Sequence, residues 1–407
     1  MPLSPQDRAI LELEGPTIAG HTCKVIRIAD PGASIDQLRR HVAARLGTEP
    51  LLRCRLGETA EGPAWVTYPD FDIVEQLVDT GLDGLAAAEL ERLVAELFEQ
   101  HLDRELPLWR IDVAGLQGGG TALIWRLHHS LADGTAAMRI ARSVLWDSGS
   151  PPPAGGARPA PDRGADDRRR LGHLAAFIGR ELADTIRDSP FDGEVGTKRA
   201  VALASVPLGE LHDAAKRQGA TVNDAVLAAV GGGLRRWLSH HHGPLGSLRL
   251  RVPVSLHHEG DDAANRDSFF TVPVPITESD PVARLRAVRE GTAERKAAHD
   301  AELLARLRSR SPALAALADR LERSPRSFAL CVSNVPGPRA PVTVCGAPVA
   351  ELHSIAEIGR RHALRIAVVS IADDLCFGFC ADPLIAGDLR EMAAGTEAEA
   401  GALIAAG

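Results

Sequence analysis

One tyrosine, five tryptophans and nine phenylalanines in 407 residues leave few flat side chains on which nucleic-acid bases could stack. Basic residues are in the minority. With 46 Lys and Arg against 54 Asp and Glu, the formal charge is −8, so the surface as a whole does not attract nucleic acid or anionic lipid. No apolar run approaches the roughly 18 residues that would suggest a membrane span. The opening MPLSPQDRAILELEG lacks the apolar centre of a signal peptide. The expectation is a soluble, cytoplasmic chain. A peripheral contact with a membrane or lipid droplet stays open, because apolar stretches such as HLAAFIGRELADTI could touch lipid or pack in a core.

The six cysteines (Cys23, Cys54, Cys331, Cys345, Cys376 and Cys380) are scattered. Cys376 and Cys380 lie four apart in LCFGFC and would share one face of a strand. Without a second close pair or a nearby histidine, no zinc site is expected, and a reduced interior fits better. Familiar catalytic and nucleotide signatures are also missing. There is no G-x-S-x-G elbow, no G-x-x-x-x-G-K-[ST] loop and no G-x-G-x-x-G after a strand. The GGG at 231–233 lies inside a helical stretch and reads as a place of close packing.

What remains is a chain with 45% hydrophobic and 25% charged residues, able to bury a large core and long enough for two domains. Residues 148–170, SGSPPPAGGARPAPDRGADDRRR, cannot build a packed element. They suggest a first part at 1–147, a crossover at 148–172 and a second part at 173–407. SIDQLRRHVAARLG reads as a helix capped by Ser34 and stopped by Gly47, and DGLAAAELERLVAELFEQHLDREL as a longer one. TALIWRL reads as a strand and GTAAMRIARSVLWD as a helix.

In the second part, HLAAFIGRELADTIRD and TVNDAVLAAVGGGLRRWLSHH read as helices, with two more near 281–322. AVALASVPL, LRLRVPVSL, FFTVPVPI, SFALCVSNV, APVAELHSI, LRIAVVSIA and LCFGFCA read as strands, before a terminal helix in LIAGDLREMAAGTEAEAGALIA. Strands and helices without regular βαβ alternation favour an α+β fold over a doubly wound sheet.

The stretch LIWRLHHSLADGT, 123–135, sits on a strand–loop–helix junction. Adjacent histidines on a strand point to opposite faces, so His128 and His129 cannot both bind one metal ion without distortion. His129 with Asp133 would still lack a third ligand. Two readings stay open from the residues alone. One histidine is a satisfied core residue and Asp133 caps the next helix. Alternatively, one histidine is a general base that takes a proton from an alcohol. Asp133 would then brace the loop against an arginine, and Gly134 would permit the tight turn. The clusters at His240–His242 and HHEGDD (257–262) lie beside turn residues and read as solvated loops.

HHSLADG matches the HHxxxDG signature of the coenzyme A-dependent acyltransferase superfamily. Four further segments resemble the bacterial wax ester synthase/diacylglycerol acyltransferase family. These are LSPQDRAILELEG; PLW at Pro107–Trp109; SPFDGEVGTKRAVALASVPL followed by GATVNDAVLAAVGGGLRRWL, with Asn223 and Asp224; and SNVPGP at 333–338. The resemblance implies two chloramphenicol-acetyltransferase-like subdomains, mixed sheets flanked by helices, with an active-site channel between them. It implies acyl-CoA as co-substrate with no permanently bound cofactor, and a hydroxyl acceptor such as a long-chain alcohol or diacylglycerol.

By position, His129 is then the base, His128 its supporting neighbour and Asp133 the brace, with Arg249 or Arg251 as the brace's candidate partner. Gly134, Asn223, Asp224, Pro107 and Trp109 shape the site, and Ser333 or Asn334 is a candidate oxyanion donor. Trp109 is as readily a packing residue, and Asn223 a helix cap. The chain departs from the family at Arg110, at His257, in a shorter crossover and in the arginines of IAEIGRRHALRIAVVSI (Arg360, Arg361 and Arg365). These departures suggest a smaller or more polar acceptor.

Overall fold

His21–Ile28 (β1) is buried at every position but Arg27, as its inner position in a six-stranded sheet requires. The structure, a computed structural model, describes residues 1–60, 62–147, 189–243, 246–255, 267–297 and 327–406. The crossover, the helix expected at 173–188, the HHEGDD segment and the second helix expected near 281–322 lie outside these residues.

The chain order of the helices is α1 (Pro5–Leu13), α2 (Ile35–Ala43), α3 (Ile73–Gln76), α4 (Ala87–Phe98), α5 (Gly134–Val144), α6 (Leu208–Arg217), α7 (Val222–His241), α8 (Pro281–Ala297) and α9 (Leu389–Ala406). Ser34 caps α2 as expected, its hydroxyl accepting from Gln37 N while Gln37 reaches back to Ser34 N. The helix ends at Ala43, ahead of Gly47. Likewise α4 and α9 are shorter than their sequence patterns.

After β1 come β2 (Cys54–Thr59) and β3 (Gly62–Thr67), which form a separate hairpin. β4 (Leu77–Asp79), β5 (Trp109–Gly115) and β6 (Thr121–His128) stand beside β1 in the order β1-β6-β5-β4. On its other edge β1 pairs with β12 (Ala347–Ala356), which pairs in turn with β11 (Thr343–Val344). Two strands from the second part of the sequence therefore complete the sheet of the first. The second sheet runs β7 (Ala200–Pro207), β14 (Asp374–Ala381), β13 (Leu364–Ile371), β10 (Leu330–Val335), β8 (Leu248–Ser255) and β9 (Asp267–Val274). Parallel and antiparallel pairs mix in both sheets, giving an α+β fold of two sheet-containing halves.

One face of the second sheet (Leu250, Val252, Leu330, Val332, Ile366 and Val368 among it) forms a core with α6, α7 and α9. The triple glycine of α7 serves that packing. A Cβ on Gly233 would lie 2.3 Å from Thr396 Oγ1 of α9, and one on Gly231 would lie 2.4 Å from Val274. The opposite face meets the first half, since Val369, Ile371 and Cys376 belong to the core shared by α2, α5 and β6. Contact is close where Ser354 of β12 crosses Gly378 of β14.

His240 and His241, read from sequence as a solvated loop, are the last turn of α7. Both hydrogen-bond to Glu391 of α9. The helix runs up to the turn residues, and α9 offers the carboxylate that holds its last turn.

A Cβ at position 378 would stand 2.1 Å from the Ser354 carbonyl oxygen, a backbone atom that cannot swing away. Gly378→Ala is expected to cost about 1–3 kcal/mol, read as a lowered urea midpoint. An unchanged midpoint would mean that the sheets part there freely.

Candidate active site

The motif is built from three local decisions. β6 is buried along its whole length and ends at His128. The chain then turns, with Leu131 N donating to His128 O at 2.9 Å. Finally, Asp133 starts α5 as its N-cap, Oδ1 accepting from Ala136 N at 2.7 Å. Both readings of Asp133 thus begin from an observed cap. PLW fixes the strand end, because His128 N donates to Leu108 O at 2.9 Å. Trp109 itself is buried, stacks on Phe71 and donates from Nε1 to Leu52 O. It anchors core, and Pro107 precedes it with its carbonyl on Trp109 N.

The two histidines have different surroundings. His128 is buried. Its Nδ1 accepts from Ser130 N at 3.2 Å and pairs with Ser130 Oγ at 2.7 Å. Nε2 therefore carries the ring proton in the neutral tautomer and faces Glu14 Oε2 at 3.3 Å. Burial raises the Glu14 carboxyl, but His128 and Arg104 outweigh it and leave the group below its ordinary value. The ring fits because residue 20 is glycine. A Cβ there would sit 2.6 Å from His128 Nε2, and Gly20 also has φ +71°.

His129, half-buried, leaves the strand line, and its N–H donates to Gly20 O at 2.9 Å. Burial, then the positive charge of Arg365, push its imidazole down to about 4, with Asp133 opposing. Near neutral pH the ring is uncharged and can accept a proton.

SNVPGP comes from the second half and reaches this motif. A Cβ on Gly134 would lie 2.9 Å from a Val335 methyl. On β10, half-buried Ser333 shares the Val335 face, which is the face turned towards the first half, while Asn334 follows on the alternate side. Gly337 N donates to Ser370 Oγ at 3.0 Å, and a Cβ there would strike the Ser370 carbonyl at 1.9 Å.

Asp224 is engaged within its own helix cap and with α8. Thr221, not Asn223, caps α7, and Asp224 closes a capping box with it while accepting from Thr292 Oγ1 of α8 at 2.6 Å. No described hydrogen bond or ion pair joins Asn223 or Asp224 to HHSLADG. The contacts described for the two candidate arginines also run elsewhere. Arg249 donates to Thr271 Oγ1, and Arg251 lies over the Phe269 and Phe328 rings at 3.8 and 3.6 Å.

Four features were not read from the sequence: Glu14, Gly20, Lys24 and the buried pair Arg199–Glu357. Arg199 Nε donates to Glu357 Oε1 at 3.0 Å, and Glu357 Oε2 accepts from Ala19 N at 3.0 Å, steadying the loop that ends in Gly20. Lys24 alone left a signal, a single lysine between Cys23 and Val25. Among the described residues, no group of three or more His, Cys, Asp or Glu side chains could hold a metal ion, and no helix is long and apolar enough to cross a membrane.

A histidine-bearing turn between two mixed sheets places the chain among the two-sheet acyltransferases. The wax ester synthase/diacylglycerol acyltransferase catalytic domain matches residues 3–187, and the WS/DGAT C-terminal domain matches residues 263–403. The chain belongs to this family, and it is an acyltransferase.

A Mycobacterium tuberculosis H37Rv protein that carries the name "probable diacylglycerol O-acyltransferase" is 29% identical over 377 residues, covering 84% of this chain and 81% of the relative. The wax ester synthase/diacylglycerol acyltransferase of Marinobacter aquaeolei VT8 superposes with a TM-score of 0.74 at 24% identity, covering 99% of this chain and 98% of that one. The first condensation domain of the calcium-dependent antibiotic synthetase shares the fold, with a TM-score of 0.66 at 17% identity over 99% of this chain and 95% of its own. A starter condensation domain of rhizomide synthetase, solved in complex with C8-CoA, does so at 0.60 and 14% identity over 98% and 94%.

Gly20→Ala is expected to displace the His128 ring and destabilise the fold by about 1–3 kcal/mol. The His128 ring carbons should shift in the proton–carbon spectrum. An unmoved ring with an unchanged melting temperature would show that the loop at 17–20 relaxes at no cost.

Proposed function

We propose that the chain moves an acyl group from acyl-CoA to a hydroxyl acceptor, with His129 as general base and without an acyl-enzyme. The observation that carries this reading is the uncharged His129 ring at a strand–turn–helix junction between the two sheets. His129 takes the acceptor proton as the oxygen attacks the thioester carbonyl. The carbon–sulfur bond then breaks, and the proton passes to the CoA thiolate. Charge develops on the carbonyl oxygen in between, and donors aimed at it are worth on the order of 3 kcal/mol each. Of the two candidates, Ser333 is the one on the face turned towards the motif, and Asn334 lies on the other side of β10. His128 holds the turn through Ser130 and Glu14, and Asp133 fixes the start of α5.

The family suggests a long-chain alcohol or diacylglycerol as acceptor, giving wax ester or triacylglycerol. A smaller or more polar alcohol is the second reading. What favours it is the charge near the base: Lys24 and Arg365 are not groups that an alkyl chain would select.

Thiol release from long-chain acyl-CoA, with hexadecanol, diacylglycerol or small alcohols, tests the assignment. His129→Ala is expected to lower it by about 10²–10⁴-fold. Equal release in variant and wild type would remove His129 from the chemistry. The pH profile is a second check. Because burial and Arg365 lower the His129 pKa to about 4, the base form persists well below the ordinary imidazole value. The acid limb of kcat/KM should therefore fall below about 6.5. A limb at that value would mean that the base is an ordinary solvated histidine.

A further inference from the structure

The segment that follows α1 touches both histidines of the motif. At its start Glu14 places Oε2 3.3 Å from His128 Nε2. At its end Gly20 lies bare against the same ring and takes the His129 N–H on its carbonyl at 2.9 Å. Between them Gly15 and Ile18 close on each other through two backbone bonds, of 2.9 and 3.1 Å. The His128 side chain is 2% exposed and that of Glu14 10%, so protein, not water, answers whatever the ring presents here. Among the described residues Nε2 has no other acceptor.

A neutral imidazole has two tautomers, and the groups around His128 do not suit both. Ser130 Oγ, 2.7 Å from Nδ1, serves either one, because a hydroxyl can donate or accept. Two other groups discriminate. Ser130 N–H points at Nδ1 from 3.2 Å and needs a lone pair there. Glu14, acceptor-only as a carboxylate, needs the proton on Nε2. With the proton on Nδ1, the Ser130 N–H would meet another donor inside the protein, and the carboxylate would meet a bare nitrogen. Arg104 gives Nη2 to the same Glu14 oxygen at 2.5 Å. The carboxylate is thus already paired, and it offers His128 an acceptor without calling for a second cation.

The choice of tautomer reaches His129 through the backbone. Each peptide unit is planar, so a bond to its N–H fixes the orientation of the whole plane. The plane before His129 is held by Gly20 O in either tautomer. The plane after it, which ends in the Ser130 N–H, is held by Nδ1 only when the proton is on Nε2.

We infer that Glu14 is a positioning residue for acyl transfer: it keeps the His128 proton on Nε2, which leaves Nδ1 to fasten the turn that carries His129. This rests on the acyl-transfer reading above, in which His129 is the base. Glu14 acts on the base at second hand, through the His128 ring and the Ser130 backbone.

The test joins ring-nitrogen NMR of histidine-labelled protein, with His128 assigned by its loss in His128→Gln, to thiol-release kinetics. In wild type the proton should sit on His128 Nε2. Glu14→Leu should transfer it to Nδ1 in a large share of molecules and lower kcat by about 10–10²-fold, with KM little changed. Glu14→Gln keeps an acceptor oxygen at that place and should restore the tautomer and most of kcat. A residue that only filled space would not separate the two variants.

A wild-type ring protonated on Nδ1 would overturn the inference, as would a Glu14→Leu enzyme with the wild-type tautomer or the wild-type kcat. If Glu14→Leu does not fold, Glu14→Ala takes its place, and the wild-type spectrum stands without either. The acyl-transfer reading fails by a different result, unchanged thiol release in His129→Ala. In that event the His128 tautomer still decides whether Glu14 sets it.

Discussion

The pairing of β12 with β1 is the constraint on which the rest of the molecule depends. By sequence β12 belongs to the second part of the chain. By hydrogen bonding it extends the sheet of the first, from Thr22↔Ala356 to Ile28↔Val349. Nearly every residue near its end then commits a polar group to another element. Glu351 meets Arg27 of β1 at 2.7 Å and His353 at 2.9 Å. His353 Nδ1 donates to Phe377 O of β14 at 3.1 Å, tying the two sheets together. Ser354 accepts from Lys24, and Glu357, just past the strand, accepts from Arg199 and Ala19. The hydrogen bond from His353 and the charge of Arg27 overcome burial and hold the Glu351 carboxyl at about 2. A depressed carboxylate stabilises the fold above its unfolded value, and that contribution is lost as pH falls through about 2.

The same strand explains why the histidine pair is asymmetric. At the end of β6, His128 takes the side of Arg126 and of the α4 core, where Glu14, Ser130 and the bare backbone of Gly20 enclose it. His129 leaves the strand and comes under the charge of Arg365, on the face of β13 turned towards the first half. Its ordinary basicity is lowered by burial and by that cation. Since the folded pKa lies below the unfolded one, protonation opposes folding as pH falls from about 6.5. An imidazole with this environment is a weaker base than free imidazole and is unprotonated near neutral pH.

Local pattern carried most of the elements. Ser34 capped α2, Asp133 capped α5, the triple glycine packed α7 against α9, and the alternating runs became strands. Helix ends were less legible, because an exposed amphipathic pattern continues where tertiary contact stops, as at Phe98 and Leu389. The central strand HTCKVIRI was hidden. Burial on both faces erases the two-residue alternation by which a strand is read, and His21, Thr22, Lys24 and Arg27 keep it from reading as an apolar run. The site was legible only along one stretch. HHSLADG and its neighbour PLW are local in sequence, whereas Glu14, Gly20, Lys24 and Glu357 join it through pairings 100 or more residues apart. No periodicity encodes such a meeting. Asn223 and Asp224 show the converse: a capping box and a site motif look alike until Thr221 and Thr292 are found to hold the aspartate.

The distribution of charge gives the cleft its character. The chain as a whole carries −8, yet the inward face of the second sheet carries arginines at alternate positions. On β8, Leu248, Leu250 and Val252 fill the core, while Arg249 and Arg251 take the other side, level with Cys331 and Arg365 on the neighbouring strands. Arg251 is packed between two phenyl rings, which shields its charge and holds it in place. Lys24 meets this face from the first sheet. A fold intended only to sheath alkyl chains would gain about 25 cal/mol per Å² by making those positions apolar. Retaining cations there forgoes that stabilisation. The acidic exterior and cationic interior therefore act on different scales.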